Sequence, residues 1–272
     1  MTLVSPKVLL DSQRAVLGLN VIGLEHAEAF VSAAEQAGKG LILQLSENAV
    51  NYRGGLGPFA SALLVIAEQS SQPIALMLDH ATDANLAEQA IAVGFTGLMF
   101  DASTLPHEQN VAATKKIAEL AKNHNVFVEA ELGEVGGKDG VHAPGVRTDP
   151  KQAREFVELT GVEALAVAVG SSHAMTEKTA KLDFDLIRSL ASEVSVPLVL
   201  HGSSGVAIED LQTAISAGIR KINIGTDFNT VLTASIRSKL ETNPKLVDPR
   251  KYLGPARVAM RDRAFEYLEA LG

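Results

Sequence analysis

The sequence predicts a TIM (β/α)8 barrel with a C-terminal helical extension, on three observations. Eight short β-rich runs alternate with longer amphipathic ones. Runs such as Leu165-Ala-Val-Ala-Val169 and Pro197-Leu-Val-Leu200 are apolar throughout, as strands covered on both faces of a parallel sheet require. The 272 residues come close to the usual length of such a barrel, ~250 residues. No Pro- or Ser-rich linker divides the chain, so one domain over residues 1–272 is expected; a doubly wound open sheet is the alternative.

The elements follow in order. A first strand over Val16-Leu19 leads to a helix over Leu24-Gln36, and a second over Leu41-Ser46 to a helix over Phe59-Gln69, stopped near Ser70. The third strand, Ile74-Leu78, precedes a helix over Thr82-Ala92, with Thr82 and Gly94 as its punctuation. Gly97-Phe100 and Val126-Ala130 are the fourth and fifth strands, with a helix over Glu108-Asn123 between them. Asp149-Pro150 starts a helix to Leu159 that Gly161 ends, and the sixth strand follows over Ala164-Val169. A helix over Asp183-Glu193, strand Pro197-Leu200, a helix over Ile208-Ala217 ended by Gly218, and strand Lys221-Ile224 complete the ring. The helical segments repeat apolar residues three and four apart, as packing on one face demands. The tail is expected at about Pro255-Leu271.

The least regular connection, Leu132-Thr148, carries four glycines beyond Gly133 and one proline. It reads either as a mobile loop able to close over a site or as an ordinary surface excursion.

Composition narrows the function. Charged residues make up 21% and the formal net charge is -8, so general attraction to nucleic acid or anionic lipid is not expected, although a small phosphate pocket is compatible with it. The chain has no cysteine, which excludes disulfides, thiolate ligands and thiol nucleophiles. The opening run Met1-Arg14 has neither a basic leader nor a continuous apolar segment, and no stretch reaches the ~18 apolar residues of a membrane span. A soluble, cytoplasmic protein is expected.

Three histidines sit where strands should end: His80 after Asp79, His173 after Gly170-Ser171-Ser172, and His201 after Leu200. Barrel sites gather at the C-terminal ends of strands, and three imidazoles leave one position of a tetrahedral zinc open to substrate. Another divalent ion fits the same set. Asp79 reads as the base beside that metal, or as the acceptor of a backbone bond near Thr82. Glu131 is a second candidate acid or metal neighbour, and Glu129 alternates with it as a structural residue. His26, His107, His124 and His142 read as surface or capping residues.

A second constellation follows the last two strands. His201-Gly-Ser-Ser-Gly205 and Lys221-Ile-Asn-Ile-Gly-Thr226 bring glycines for close backbone approach, hydroxyls at Ser204 and Thr226, and the start of a helix. Barrels often bind phosphate there. Gly202, Asn223 and Gly225 fall inside these segments, and Gly170 opens a third wall. Each segment alone also reads as a turn. The nucleotide patterns GxGxxG and GxxxxGK[ST] are absent in the required context.

Taken together, the sequence resembles the class II, metal-dependent ketose-bisphosphate aldolases. The matching stretches are LDHATD at Leu78-Asp83, VEAELGEVGGKDG at Val128-Gly140, TDP at Thr148-Pro150, and TGVEALAVAVGSSH at Thr160-His173. They continue with LDF at Leu182-Phe184, VPLVLHGSSGV at Val196-Val206, IRKINIGTD at Ile219-Asp227 and DPRKYLGPAR at Asp248-Arg257, so the likeness covers nearly the whole chain. It implies that His80, His173 and His201 hold a catalytic Zn2+, that Asp79 handles the proton at the aldehyde-derived oxygen, and that Glu131 exchanges a proton at the triose-phosphate carbon. It further implies that Ser46 faces the sugar, that Gly170, Gly202, Ser204, Asn223 and Thr226 surround the ketose C1 phosphate, and that a monovalent cation lies near that phosphate. Lys221 is not required as a Schiff base. The implied partners are a phosphorylated ketose, dihydroxyacetone phosphate and an aldehyde, in a homodimer or higher homo-oligomer.

This sequence departs from the family pattern at Glu47-Asn48, where a small residue and glycine are usual, and at Thr104, where histidine is usual. Arg147 replaces a tyrosine and reads as a ligand for an anionic distal substituent or as a solvent-facing cation. The leading expectation is reversible aldol cleavage of a ketose 1,6-bisphosphate or related ketose 1-phosphate. A metal-dependent sugar-phosphate isomerase or epimerase and a non-catalytic sugar-phosphate-binding protein are the alternatives.

Overall fold

Eight parallel strands close on themselves in sequence order: β1 Val16–Asn20, β2 Leu41–Ser46, β3 Ile74–Ala81, β4 Gly97–Phe100, β5 Phe127–Leu132, β6 Ala164–Val167, β7 Leu198–Leu200 and β8 Ile219–Ile224. The last pairs with the first, Gly18 opposite Asn223. The computed structural model describes residues 3–133 and 146–272. Around the strands lie α1 Pro6–Ser12, α2 Leu24–Ala37, α3 Glu47–Tyr52, α4 Gly57–Gln69, α5 Ala84–Val93, α6 His107–Lys122, α7 Pro150–Thr160, α8 Phe184–Glu193, α9 Ile208–Ala217, α10 Thr226–Thr242 and α11 Arg250–Leu271. Among the described residues no helix is long and apolar enough to cross a membrane.

The strands read as continuous apolar runs because both of their faces are buried. Outward residues such as Leu43, Leu76, Val128, Leu165 and Ile222 join the large core beneath the helices. Inward residues Val16, Ile42, Ala75, Met77, Met99, Phe127 and Val199 form a separate cluster inside the barrel, which Leu9 and Leu10 of α1 close from below. Each of these buried side chains other than Ala75 contributes roughly 1.5–3 kcal/mol. Above this floor the inward positions turn polar: Gln44, Asp79, Glu129, Glu131, Lys221 and Asn223 are all buried. The polar groups run from mid-strand at Glu129 and Lys221 toward the C-terminal ends at Asp79, Glu131 and Asn223.

Several boundaries differ from the sequence expectation, each for a local reason. Asp79 and His80 lie within β3, which runs on to Ala81. The register with β4 shifts between Leu78 and Ala81, and His80 takes a left-handed φ of 49°. The bulge re-aims the histidine relative to the aspartate before it. Helix α5 starts after Asp83, whose carboxylate accepts from the Asn85 N–H at 2.8 Å, and not at Thr82. β5 extends to Leu132 and so includes Glu131, whereas β6 ends at Val167.

Helices α1 and α3 were not expected, and α10, expected only as a helix start after Gly225, runs from Thr226 to Thr242. Ser46 caps α3 by accepting from the Ala49 N–H at 3.2 Å. The C-terminal helix begins at Arg250 and contains Pro255, which removes one bond from its ladder but does not mark its start. Asp149-Pro150 does start α7, with the carboxylate accepting from the N–H groups of Lys151 and Gln152.

Candidate metal centre and active site

The three histidines converge. Ring centroids of His80 and His201 are 4.6 Å apart, those of His80 and His173 5.0 Å, and those of His173 and His201 5.7 Å. Ligand atoms of His80, Glu131, His173 and His201 all lie within 4.8 Å of one another. Glu131 thus joins the three imidazoles as a fourth member.

Two of the rings are aimed by carboxylates. His80 donates from Nδ1 to Asp101 Oδ2 at 2.8 Å, and Asp101 is held in turn by the Ser103 N–H at 3.2 Å and its hydroxyl at 2.6 Å. His201 donates from Nε2 to Glu129 Oε1 at 2.9 Å, leaving Nδ1 for the cluster. A carboxylate only accepts, so each pairing settles which ring nitrogen faces the others.

These donors suit a divalent cation. His201 Nδ1 is buried without a hydrogen bond of good geometry, 3.4 Å from Glu131 Oε2. Burial alone would lower the His201 pKa, but the Glu129 and Glu131 carboxylates outweigh it and raise it to about 9. The same negative charge that attracts a proton there favours a metal, which must displace it. Nitrogen and carboxylate donors in this number match zinc or a neighbouring divalent ion. Glu129, expected to be structural, is part of this arrangement: its other oxygen accepts from Lys221 Nζ at 2.6 Å, and both side chains are fully buried.

Asp79 faces the same space. Its Oδ2 accepts from Asn20 Nδ2 at 2.7 Å and its Oδ1 from Gln44 Nε2 at 3.0 Å. Burial raises its pKa, yet the charges of His80, His201 and Lys221 and the Asn20 bond prevail and hold it below the usual carboxylate range. It is ionised and fixed at both oxygens. The alternative role read for Asp79, accepting a backbone bond near Thr82, falls to Glu47, which takes the Thr82 N–H at 2.6 Å and its hydroxyl at 3.1 Å. Asn20 and Gln44 escaped the sequence reading as site residues. The signal for Gln44 was its place two before Ser46 on one strand face.

A cavity of about 290 Å³ opens above these groups, lined by Ser46, Asp79, His80, His173, Gly202, Ser204, Asn223, Gly225 and Thr226, with Asn20, Asn48 and Asn229 among the rest. Gly202 has φ 67°, and a Cβ there would lie 2.5 Å from the Ser172 backbone, so only glycine lets the His173 segment pack on this turn. Ser204 Oγ accepts from the Asp227 N–H at 3.1 Å, which leaves its proton for another acceptor. Both side-chain polar atoms of Asn223 are buried without a partner.

Glu131 and His201 belong to the candidate metal-ligand cluster and do not line the cavity. Gly170 and Arg147 do not line it. Arg147 is exposed and borders a separate hollow with Lys181 and Arg188. His26, expected at the surface or in a cap, is buried, and its Nδ1 accepts from the Gly23 N–H at 3.4 Å at the start of α2. The proposed closing segment at 132–148 lies mostly outside the described residues, as does His142.

The sequence profile described as "Fructose-bisphosphate aldolase class-II" matches residues 9–272. The chain belongs to the class II fructose-bisphosphate aldolase family. A fructose-bisphosphate aldolase of Staphylococcus aureus is 40% identical over 270 residues, covering 96% of this chain and 94% of that one. The crystal structure of the YdjI aldolase of Escherichia coli superposes with a TM-score of 0.86 at 29% identity, covering 99% of this chain and 97% of its own. A fructose-bisphosphate aldolase structure from Campylobacter jejuni gives 0.81 at 22% identity, over 97% and 93% of the two chains, a likeness of fold. The class II aldolase assignment makes this protein a carbon–carbon lyase of a metal-dependent family acting on phosphorylated ketoses.

Proposed function

We propose that this aldolase reversibly cleaves a ketose 1,6-bisphosphate, or a related ketose 1-phosphate, to dihydroxyacetone phosphate and an aldehyde, with Zn2+ held by His80, His173 and His201. The observation that carries the reading is one cavity lined together by Asp79, two of these histidines, Ser204, Asn223, Gly225 and Thr226. When bound, the metal supplies electrophilic stabilisation of negative charge at the substrate carbonyl oxygen.

The side chains divide the remaining work. In cleavage Asp79 takes the hydroxyl proton of the leaving aldehyde carbon as the carbon–carbon bond breaks, and it returns that proton in condensation. Asn20 and Gln44 keep its carboxylate turned toward the cavity. Glu131 exchanges the proton at the triose-phosphate carbon. Ser46 faces the sugar, while Gly202, Ser204, Asn223 and the start of α10 receive the C1 phosphate; Gly170, which packs against the Lys181 carbonyl, shapes the loop beside them. A monovalent cation near this phosphate, a homodimer or higher homo-oligomer and a cytoplasmic setting complete the proposal. Arg147 stands outside the cavity, so a role at the distal substituent requires the substrate to reach beyond it.

The test is cleavage of fructose and tagatose bisphosphates and related ketose 1-phosphates by zinc-loaded protein, with metal content measured on the same sample. At least one should yield two products. Folded, metallated protein that only interconverts isomers, or turns over none of them, would overturn the reading.

A further inference from the structure

The start of α10 poses an electrostatic problem. Gly225 and Thr226 line the cavity, and the next residue, Asp227, places a carboxylate beside the turn assigned to a phosphate. Like charges so close oppose binding unless one is turned away and compensated.

The C-terminal helix supplies that compensation. Tyr267 of α11, fully buried, donates its hydroxyl to Asp227 Oδ2 at 3.0 Å. Arg263, one turn earlier on α11, brings Nε to 3.6 Å from the same oxygen. Lys178, on the segment that follows His173, donates to the Tyr267 hydroxyl oxygen at 3.3 Å and lies 5.4 Å from the ring centre. Burial, followed by the Asp227 charge, pushes the Tyr267 pKa up, so the hydroxyl keeps the proton it donates. The ring is seated independently of its hydroxyl, 6.1 Å from Phe228 in an edge-on contact.

Meanwhile the backbone of Asp227 serves the cavity, since its N–H orients Ser204. One residue therefore presents its amide toward the site and its carboxylate toward α11. We infer that Tyr267 is a positioning residue for phosphate binding: its hydroxyl holds the Asp227 carboxylate against α11 and so keeps that charge out of the phosphate cradle. The inference rests on the phosphate reading proposed above.

The experiment uses Tyr267→Phe, which keeps the ring, in the zinc-loaded protein, with inorganic phosphate as a competing probe. The KM for the cleaved ketose phosphate and the inhibition constant of inorganic phosphate should both rise about fivefold or more at low ionic strength, with kcat within about twofold. Asp227→Asn removes the charge, so adding Tyr267→Phe to it should leave both constants unmoved. A smaller rise in the same direction is expected for Arg263→Met, which tests the idea if Tyr267→Phe fails to fold.

An unchanged KM in a destabilised Tyr267→Phe protein, or the same rise in both backgrounds, would reduce Tyr267 to a structural role and overturn the inference. Failure of the phosphate reading looks different. Inorganic phosphate would not compete in the unmodified protein, and Ser204→Ala would leave KM unchanged. That result removes the inference along with its premise.

Discussion

Gln44 donates to Asp79 across 3.0 Å inside the barrel, and it lies there because residue 18 has no side chain. A Cβ on Gly18 would stand 1.9 Å from Gln44 Oε1 and 2.7 Å from Asn223 Oδ1. A glycine on β1 thereby governs an amide on β2 that governs a carboxylate on β3. Gly18→Ala should cut turnover while metal content holds, measured by single-turnover cleavage beside metal analysis.

Asp79→Ala should retain metal and lose turnover by about 100-fold to 10,000-fold, the usual range for a proton-transfer group. Single-turnover cleavage by fully metallated protein separates this from a ligand defect. Unchanged cleavage would remove Asp79 from the mechanism.

The bond from Asn20 helps hold the Asp79 pKa below its ordinary value. Asn20→Ala takes away a donor that stabilises the charged form, so the pKa rises. The base is then protonated at higher pH, and the acid limb of the kcat profile should move toward neutrality. A limb that stays in place, or moves to lower pH, would contradict this account.

His173→Ala should weaken metal affinity by more than about 100-fold, beyond the range for losing an orienting partner. Circular dichroism should be unchanged, because His173 is only half-buried on a connecting segment. Metal titration checks the affinity.

Metal-free protein should respond to pH through His201. Its folded pKa of about 9 exceeds the ordinary 6.5, so its contribution to stability is complete below 6.5 and is lost as pH rises through 9. Over that window the melting temperature of chelator-stripped protein should fall. Metal-loaded protein, with the proton displaced, should lack this component, and parallel curves for the two forms would argue against His201 as a ligand.

Lys221 neutralises Glu129 inside the barrel. Lys221→Met leaves a buried carboxylate short of its partner and should cost about 3–5 kcal/mol, read by denaturant unfolding. Borohydride added during turnover should trap no adduct on Lys221, since its ammonium is committed to Glu129.

The ring of strands was legible because burial on both faces leaves a local imprint: Leu165-Val169 and Pro197-Leu200 are apolar at every position. The histidines were legible for a similar reason, as each follows such a run. Helix α10 was legible only at its start, since only Phe228 is buried along it and an apolar stripe marking its length is correspondingly weak. The bulge at His80 left no comparable mark, because it arises from how β3 pairs with β4.

The barrel, the three histidines that follow its strands, Asp79 and the two glycine-hydroxyl segments are encoded in short windows of residue type. Tertiary structure decided who holds whom. Asn20 meets Asp79 from 59 positions away, and Glu129 meets Lys221 from 92. It also brought Glu131 among the imidazoles and left Arg147 outside the cavity. Hydrogen bonds and ion pairs of that span depend on barrel closure, which brings distant strands together within 3 Å or so, and no local periodicity records them.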